Sequence, residues 1–344
     1  MAIESYNFTV GEGKKGPRNL ITDVKGVRVG HVTLSEGDIN TGVTAILPHG
    51  GNLFREKVTA ATYVINGFGK SIGTVQVDEL GTIETPIILT NTLSVGIATN
   101  GLVKYMLDQN EEIGRSTGTV NPIVCECNDG FLNDIRGLNI KEAHVVEAIS
   151  KCDVLFEQGS VGAGTGMCVF NLKGGIGSSS RVVELEGVSY TVGVLVLSNF
   201  GNLKTLQLSG MKIGEAFTAL GSQVEQGSII VIVATDIPMS DRQLKRVAKR
   251  VPAGMARTGA HFGNGSGDIV YAFSNANIVR HFETREIVEC SIINENVIDK
   301  VFNAVIEATE ESIINSMLHA DTKTGRSGRV VKSLKSVLEQ ISGS

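Results

Sequence analysis

Gly227-Ser228-Ile229-Ile230-Val231-Ile232-Val233-Ala234 sets the centre of the molecule. Six successive apolar residues, five of them β-branched, show no polar alternation, so the run reads as a strand covered on both faces. Ser228 stands at its mouth. Gly227 has no Cβ, can take backbone angles closed to other residues, and leaves its carbonyl open to attack. A serine held this way suits cleavage of its own preceding peptide bond. It would then be an N-terminal nucleophile with its freed amine as base. The dipeptide alone reads more simply as a turn before a strand, so the rest of the chain has to decide.

Three other polar turns adjoin strand-like runs. Downstream, Gly263-Asn264-Gly265-Ser266-Gly267-Asp268 feeds Ile269 to Phe273. Ser266 and Asp268 are two apart, so on a strand they share a face and offer a hydroxyl and a carboxylate to a partner serine. Upstream, Ser198-Asn199-Phe200-Gly201 ends the run Ser189 to Leu197, where an Asn amide could donate to a developing oxyanion. Further upstream, Glu126-Cys127-Asn128-Asp129-Gly130 follows the strand Ile123 to Cys125. Each is also an ordinary hairpin or Asx turn, and spacing alone cannot join them into one site.

Further strands are predicted at Val27 to Val32, Gly42 to Leu47, Ala61 to Gly67, Ser71 to Val77, Pro86 to Thr90 and Met167 to Leu172. Helical spacing marks Val95 to Leu107 and Lys141 to Ser150. Ser240-Asp241 caps a helix from Arg242 to Val251 that Pro252 should end. Asn294 to Leu318 reads as one long amphipathic helix, with Asn294 as cap and Asp299, Glu307 and Glu310 facing solvent. This mixture suggests α/β layers with a mixed or antiparallel sheet.

Composition removes several function classes. The formal charge of −5, with no basic block, argues against nucleic acid. No apolar run reaches membrane-spanning length. Met1 to Gly16 has no apolar stretch of the export type, and five cysteines are an odd number, so reduced thiols in the cytoplasm are expected. Cys125-Glu126-Cys127 is C-x-C without a nearby His, a poor zinc pattern. The Gly-rich segment Ser160 to Arg181 lacks the spacing of a nucleotide-binding loop, and turns bracketing a strand explain it more simply. The six His are scattered, without H-x-x-x-H spacing.

Taken together, the chain resembles the self-processing aminopeptidase family that includes L-aminopeptidase/D-esterase (DmpA-like) enzymes and β-peptidyl aminopeptidases. The matching stretches span nearly the whole length in fixed order. Among them are NLITDVKGVRVGHVTL, TGVTAILPHGG, CNDGFLNDIRG, GSVGAGTGM, LKGGIGSSSR, VLVLSNFG, GSIIVIVATDIPMSDRQLKRVAKR, GNGSGDIVYAFSNAN and NSMLHADTKTGRSGR. The resemblance implies an α+β, four-layer αββα sandwich forming one domain over residues 1–344. It would be cut between Gly227 and Ser228 into an α-chain, 1–227, and a β-chain, 228–344. Ser228 would be the nucleophile, Ser266 and Asp268 would orient its amine and relay the proton, and Asn199 would donate to the oxyanion. Glu126 would hold the substrate's free amine. Relatives often carry Glu at Asp268 and an aromatic residue at Asn128, so reach and substrate preference should differ here. The implied substrates are short peptides, amides or esters, with no metal or organic cofactor and a homo-oligomer, often a tetramer of αβ units. An acyltransferase of the ornithine acetyltransferase type is the alternative enzyme, although that type uses Thr. An uncut, non-catalytic binding protein is the other.

Overall fold

The computed structural model describes residues 8–214 and 227–342. Residues 1–7, part of the stretch read for an export signal, lie outside them. The chain begins with β1 (Arg28–Glu36), β2 (Ile39–Leu47) and β3 (Glu56–Gly67), then α1 (Thr74–Leu80), β4 (Thr82–Ile83) and β5 (Ile87–Asn91). Next come α2 (Val95–Gln109), β6 (Ile123–Cys127), α3 (Glu142–Ser150), β7 (Cys168–Val169), β8 (Leu172–Lys173), β9 (Ile176–Leu185) and β10 (Val188–Asn199). A small hairpin, β11 (Gln207–Leu208) and β12 (Met211–Lys212), is followed in sequence by β13 (Ser228–Thr235), α4 (Asp241–Ala248), α5 (Val251–Arg257) and β14 (Gly267–Arg280). Last are α6 (Asp299–Leu318), β15 (Lys323–Thr324), β16 (Val330–Val331) and α7 (Leu334–Ser342).

Two sheets face each other. One has the order β1-β2-β5-β6, the other β4-β3-β14-β13-β10-β9. Both are mixed: β5–β6 and β13–β14 run parallel, and the other pairs within the two sheets are antiparallel. The alternation of β13 explains why it must be apolar throughout. Ile230, Ile232 and Ala234 enter the core between the sheets, against Ile87, Leu89, Cys125 and Cys127. Ile229, Val231 and Val233 enter the other core, with Leu244 of α4, Met255 of α5 and Val305 and Ile313 of α6. A third core lies under α2 and α3, where Ala98, Leu102, Val145 and Ala148 cover Val43, Ala45 and Val124. Helices, sheet, sheet and helices therefore stack in the four layers expected.

The long elements agree with the sequence reading; several short ones do not. Ser71 to Val77 is not a strand. Gly73 (φ 91°) and Gly81 (φ 64°) bracket the helix α1, and only Val77 in it is buried. Met167 to Leu172 is broken by Phe170 (φ 51°) and Asn171 (φ 61°), which turn the chain between β7 and β8. Phe170 accepts that unusual geometry because it is fully buried, edge-on to Phe200. Pro252 does not end a helix: α4 stops at Ala248, and Pro252 sits in the first turn of α5, where no N–H is needed. Asn294 caps a short 3₁₀ turn, Glu295–Val297, that precedes α6. Glu310 does not face solvent; it is buried and meets Arg257.

Candidate active site

The entrance of β13 is a tight backbone crossing. Asn199 of β10 stands opposite Ser228 in an antiparallel pair, so their side chains share a face. On the other side Gly267 of β14 stands opposite Ser228 in a parallel pair. The Gly267 N–H donates to the Gly227 carbonyl at 3.2 Å, which holds and polarises the bond that the sequence marked for cleavage. A Cβ on Gly227 would lie 2.4 Å from the Asn199 carbonyl oxygen and 2.5 Å from the Phe200 Cα. Glycine is thus required by contact.

Ser228 and Gly227 line a cavity of about 240 Å³ with Glu126, Asn128, Thr92 and Gly265, while the exposed Phe68 and Lys70 stand at its rim. Glu126 comes from the other sheet, at the end of β6, and is 3% exposed. Its Oε1 accepts the Lys70 backbone N–H at 2.8 Å and its Oε2 accepts the Thr92 hydroxyl. Thr92 is placed by Asn91, whose side chain closes the turn after β5 by accepting the Leu93 and Ser94 N–H groups. A carboxylate fixed at both oxygens, facing a cavity, can take an ammonium through its remaining lone pairs. Cys125 and Cys127, on either side of it, are buried thiols in the core between the sheets. Burial pushes Cys125 up to about 12 and raises Cys127 well above its ordinary value.

Ser266 and Asp268 touch as the two-residue spacing predicts: the Ser266 hydroxyl donates to Asp268 Oδ1 at 2.6 Å. Both are buried, one residue either side of the Gly267 that pairs with Ser228. Asn66 of β3, which sequence reading missed, clamps this loop. Its amide donates to the carbonyls of Gly263 and Asn264 and to that of Ser266. No local signal marks it, because its partners lie about two hundred residues away.

Asn199 is also nine-tenths buried. Its Oδ1 accepts the Cys168 backbone N–H at 2.9 Å, and its Nδ2 donates to the Asn128 carbonyl at 2.9 Å. Asn128 therefore meets Asn199 through its backbone. Its own side chain turns back to accept the Gly130 N–H at 2.9 Å. The Gly-rich segment that supplies Cys168 is packed too closely for side chains: a Cβ on Gly164, Gly166 or Gly174 would lie 2.6 Å or less from its nearest neighbour. Its carbonyls converge on Lys173, whose fully buried ammonium donates to Gly164 O at 3.1 Å, Met167 O at 2.8 Å and Gly174 O at 2.5 Å. Burial works against the charge on that lysine, while three carbonyls, each accepting one of its hydrogens, favour the ammonium. Among the described residues no group of three or more His, Cys, Asp or Glu side chains is placed to hold a metal, and no helix is long and apolar enough to cross a membrane.

A serine and a carboxylate on one cavity, with an amide opposite the serine and a hydroxyl–carboxylate pair on either side of the glycine beside it, are the parts of an acyl-transfer hydrolase, and the fold has the layering of N-terminal-nucleophile hydrolases. Residues 19–331 match Peptidase family S58, and the chain belongs to that family; it is an aminopeptidase. It is 40% identical to the beta-peptidyl aminopeptidase BapA of Sphingosinicella microcystinivorans, over 94% of this chain and 87% of that one. Among solved structures, the PH0078 protein of Pyrococcus horikoshii OT3 is 52% identical, with a TM-score of 0.95 and coverage of 100% of this chain and 99% of that one. The L-aminopeptidase D-Ala-esterase/amidase of Ochrobactrum anthropi, described as a prototype serine aminopeptidase with a variant of the N-terminal-nucleophile hydrolase fold, is 35% identical. Its TM-score is 0.91, with 99% of both chains covered.

Proposed function

We propose that this aminopeptidase cuts itself between Gly227 and Ser228 and then removes N-terminal residues through a Ser228 acyl-enzyme. In self-cleavage the Ser228 Oγ attacks the Gly227 carbonyl, the acyl group moves from nitrogen to oxygen, and water hydrolyses the ester, leaving a Gly227 carboxylate and a free Ser228 amine. That amine, with an ordinary pKa near 8, takes the hydroxyl proton in each later turnover. Ser266 and Asp268 orient it. The substrate's ammonium docks on Glu126, its carbonyl is attacked by Ser228, and Asn199 Nδ2 donates to the oxyanion. Such a donor contributes on the order of 3 kcal/mol. The leaving amine departs with the proton, and water releases the acyl residue.

The observation that carries this reading is the register: Ser228 faces Asn199 across one strand and Gly267 across the other, on a cavity shared with Glu126. The name of the Sphingosinicella relative supports short peptides with N-terminal β-residues as the substrate class. The five free thiols support a cytoplasmic setting, and the exposed apolar side chains Phe282, Ile287, Val288 and Ile292 beyond β14 support a homo-oligomer of αβ units, each unit one domain. A denatured intact mass of the wild type should give two chains ending at Gly227 and starting at Ser228. Ser228→Ala should fold, stay uncut and hydrolyse nothing. A wild type that turns over substrate as one uncut chain would overturn the mechanism.

A further inference from the structure

An oxyanion donor built from an asparagine side chain carries a risk. The amide can rotate by half a turn and present its oxygen, which would repel the developing charge instead of stabilising it. The structure contains a device that sets this choice. Cys168 N–H, a donor only, faces Asn199 Oδ1 at 2.9 Å, so Nδ2 must lie on the opposite side, towards the Asn128 carbonyl. The Asn128 carbonyl favours the same rotamer, and the Cys168 half of the device depends on the Met167–Cys168 peptide keeping its own orientation. If that peptide plane turned over, a carbonyl would face Asn199 and favour the wrong rotamer.

The other edge of the same peptide is gripped by Lys173, whose Nζ lies 2.8 Å from Met167 O. That carbonyl has one further, long contact, the Gly174 N–H at 3.5 Å. The remaining two ammonium hydrogens reach Gly164 O and Gly174 O. A tetrahedral ammonium can serve three converging carbonyls; a planar guanidinium cannot. The cation also withdraws electrons from the Met167 carbonyl and so makes the Cys168 N–H a stronger donor, an effect passed along a hydrogen-bonded chain.

We propose that Lys173 is a positioning residue for the reaction: through the Met167–Cys168 peptide it sets and polarises the Asn199 amide that meets the oxyanion. The inference rests on the reading of Asn199 as that donor. Lys173 does not touch substrate, and Glu126 lies on the other sheet, so binding of the ground state should be spared.

The test is a double-mutant cycle on fully processed enzyme, checked by denatured mass and thermal melting. Asn199→Ala should lower kcat about 100-fold or more. Lys173→Met should lower kcat about tenfold with KM within twofold, and Lys173→Gln should fall between Lys173→Met and the wild type. In the Asn199→Ala background, Lys173→Met should change kcat by less than twofold, because the residue it acts through is gone. Equal losses from Lys173→Met in both backgrounds, or a loss confined to KM, would overturn the relay and leave Asn199 in place. An unchanged kcat in Asn199→Ala would remove the donor reading itself. Failure of both Lys173 variants to fold, read by thermal melting, would assign the lysine to the fold alone and overturn the proposal.

Discussion

Gly227 is required by the nearness of β10, and the other site residues are held as closely. Glu126 has both oxygens engaged before any substrate arrives, so its charge and not its shape should matter. Glu126→Gln is expected to raise KM for free-amine substrates at least tenfold while leaving N-acetylated analogues within twofold; steady-state kinetics on matched pairs checks this. His31 gives a pH signature. Its Nε2 faces the Glu157 carbonyl and so carries the proton, while Nδ1 accepts from Thr44, whose oxygen also takes the Ala163 N–H. Burial of this neutral ring lowers its pKa to about 4. Above its ordinary value of 6.5 the ring costs folding nothing. Below it the unfolded chain takes up a proton that the folded chain refuses, and stability falls progressively down to about pH 4. The full effect is on the order of 3 kcal/mol. Asp129, raised by burial to about 6, works in the opposite sense, with stability lost as pH rises through that value. The test is therefore a difference: denaturant titrations of wild type and His31→Gln should converge in slope above pH 6.5 and separate between 6.5 and 4. Ser228, Ser266, Asp268, Asn199, Glu126 and Asn128 stood out as polar residues beside apolar runs, but only the resemblance gathered them into one candidate site. Asn66, Thr92 and Lys173 did not stand out. They act on backbone groups supplied by other segments, and nothing in their local sequence records that.

Among elements, β13 was the most legible, since a strand buried on both faces leaves an unbroken apolar run. Short elements were decided by contacts that the chain does not encode locally. The two glycines bracketing α1 and the buried Phe170 turn are examples. The helix α6 shows a subtler miss. Its apolar period was clear, but the carboxylates taken as solvent-facing include one that is buried. Glu311, also on α6, is 1% exposed and meets Arg181 of β9 at 2.7 Å; the same arginine reaches Glu307 at 2.9 Å and the Val10 carbonyl at 2.9 Å. Lys15 closes the network on Glu311 at 2.6 Å. One buried guanidinium thus ties a strand, a helix and the N-terminal segment. Arg181→Met leaves Glu311 buried with one partner fewer, and a loss of about 3–5 kcal/mol is expected. Urea denaturation of the Ser228→Ala precursor with and without that change measures it.

At the scale of the whole molecule, an apolar arm stands out from the four layers. Beyond β14, Phe282, Ile287, Val288 and Ile292 are each more than half exposed, Ile287 at 85%. Apolar side chains gathered in one arm suit an interface between copies. Ile287→Asp with Val288→Asp should shift the protein to a smaller assembly in sedimentation velocity without loss of fold; an unchanged sedimentation coefficient would detach the arm from assembly. The layering itself was legible only through resemblance, because strand order depends on pairings between distant segments. That order has a last consequence. Strands β13 and β14 lie side by side in the middle of the six-stranded sheet, flanked by β3 and β10. A cut at Gly227 would put the two inner strands on one polypeptide and their outer neighbours on another. Folding before the cut is a single-chain event; after it, renaturation needs an encounter between two partners, each showing raw strand edges open to wrong pairing. The precursor should recover from denaturant at any dilution, and the processed enzyme only in competition with aggregation. The mature form would then persist through slow unfolding, with no ready route back once lost.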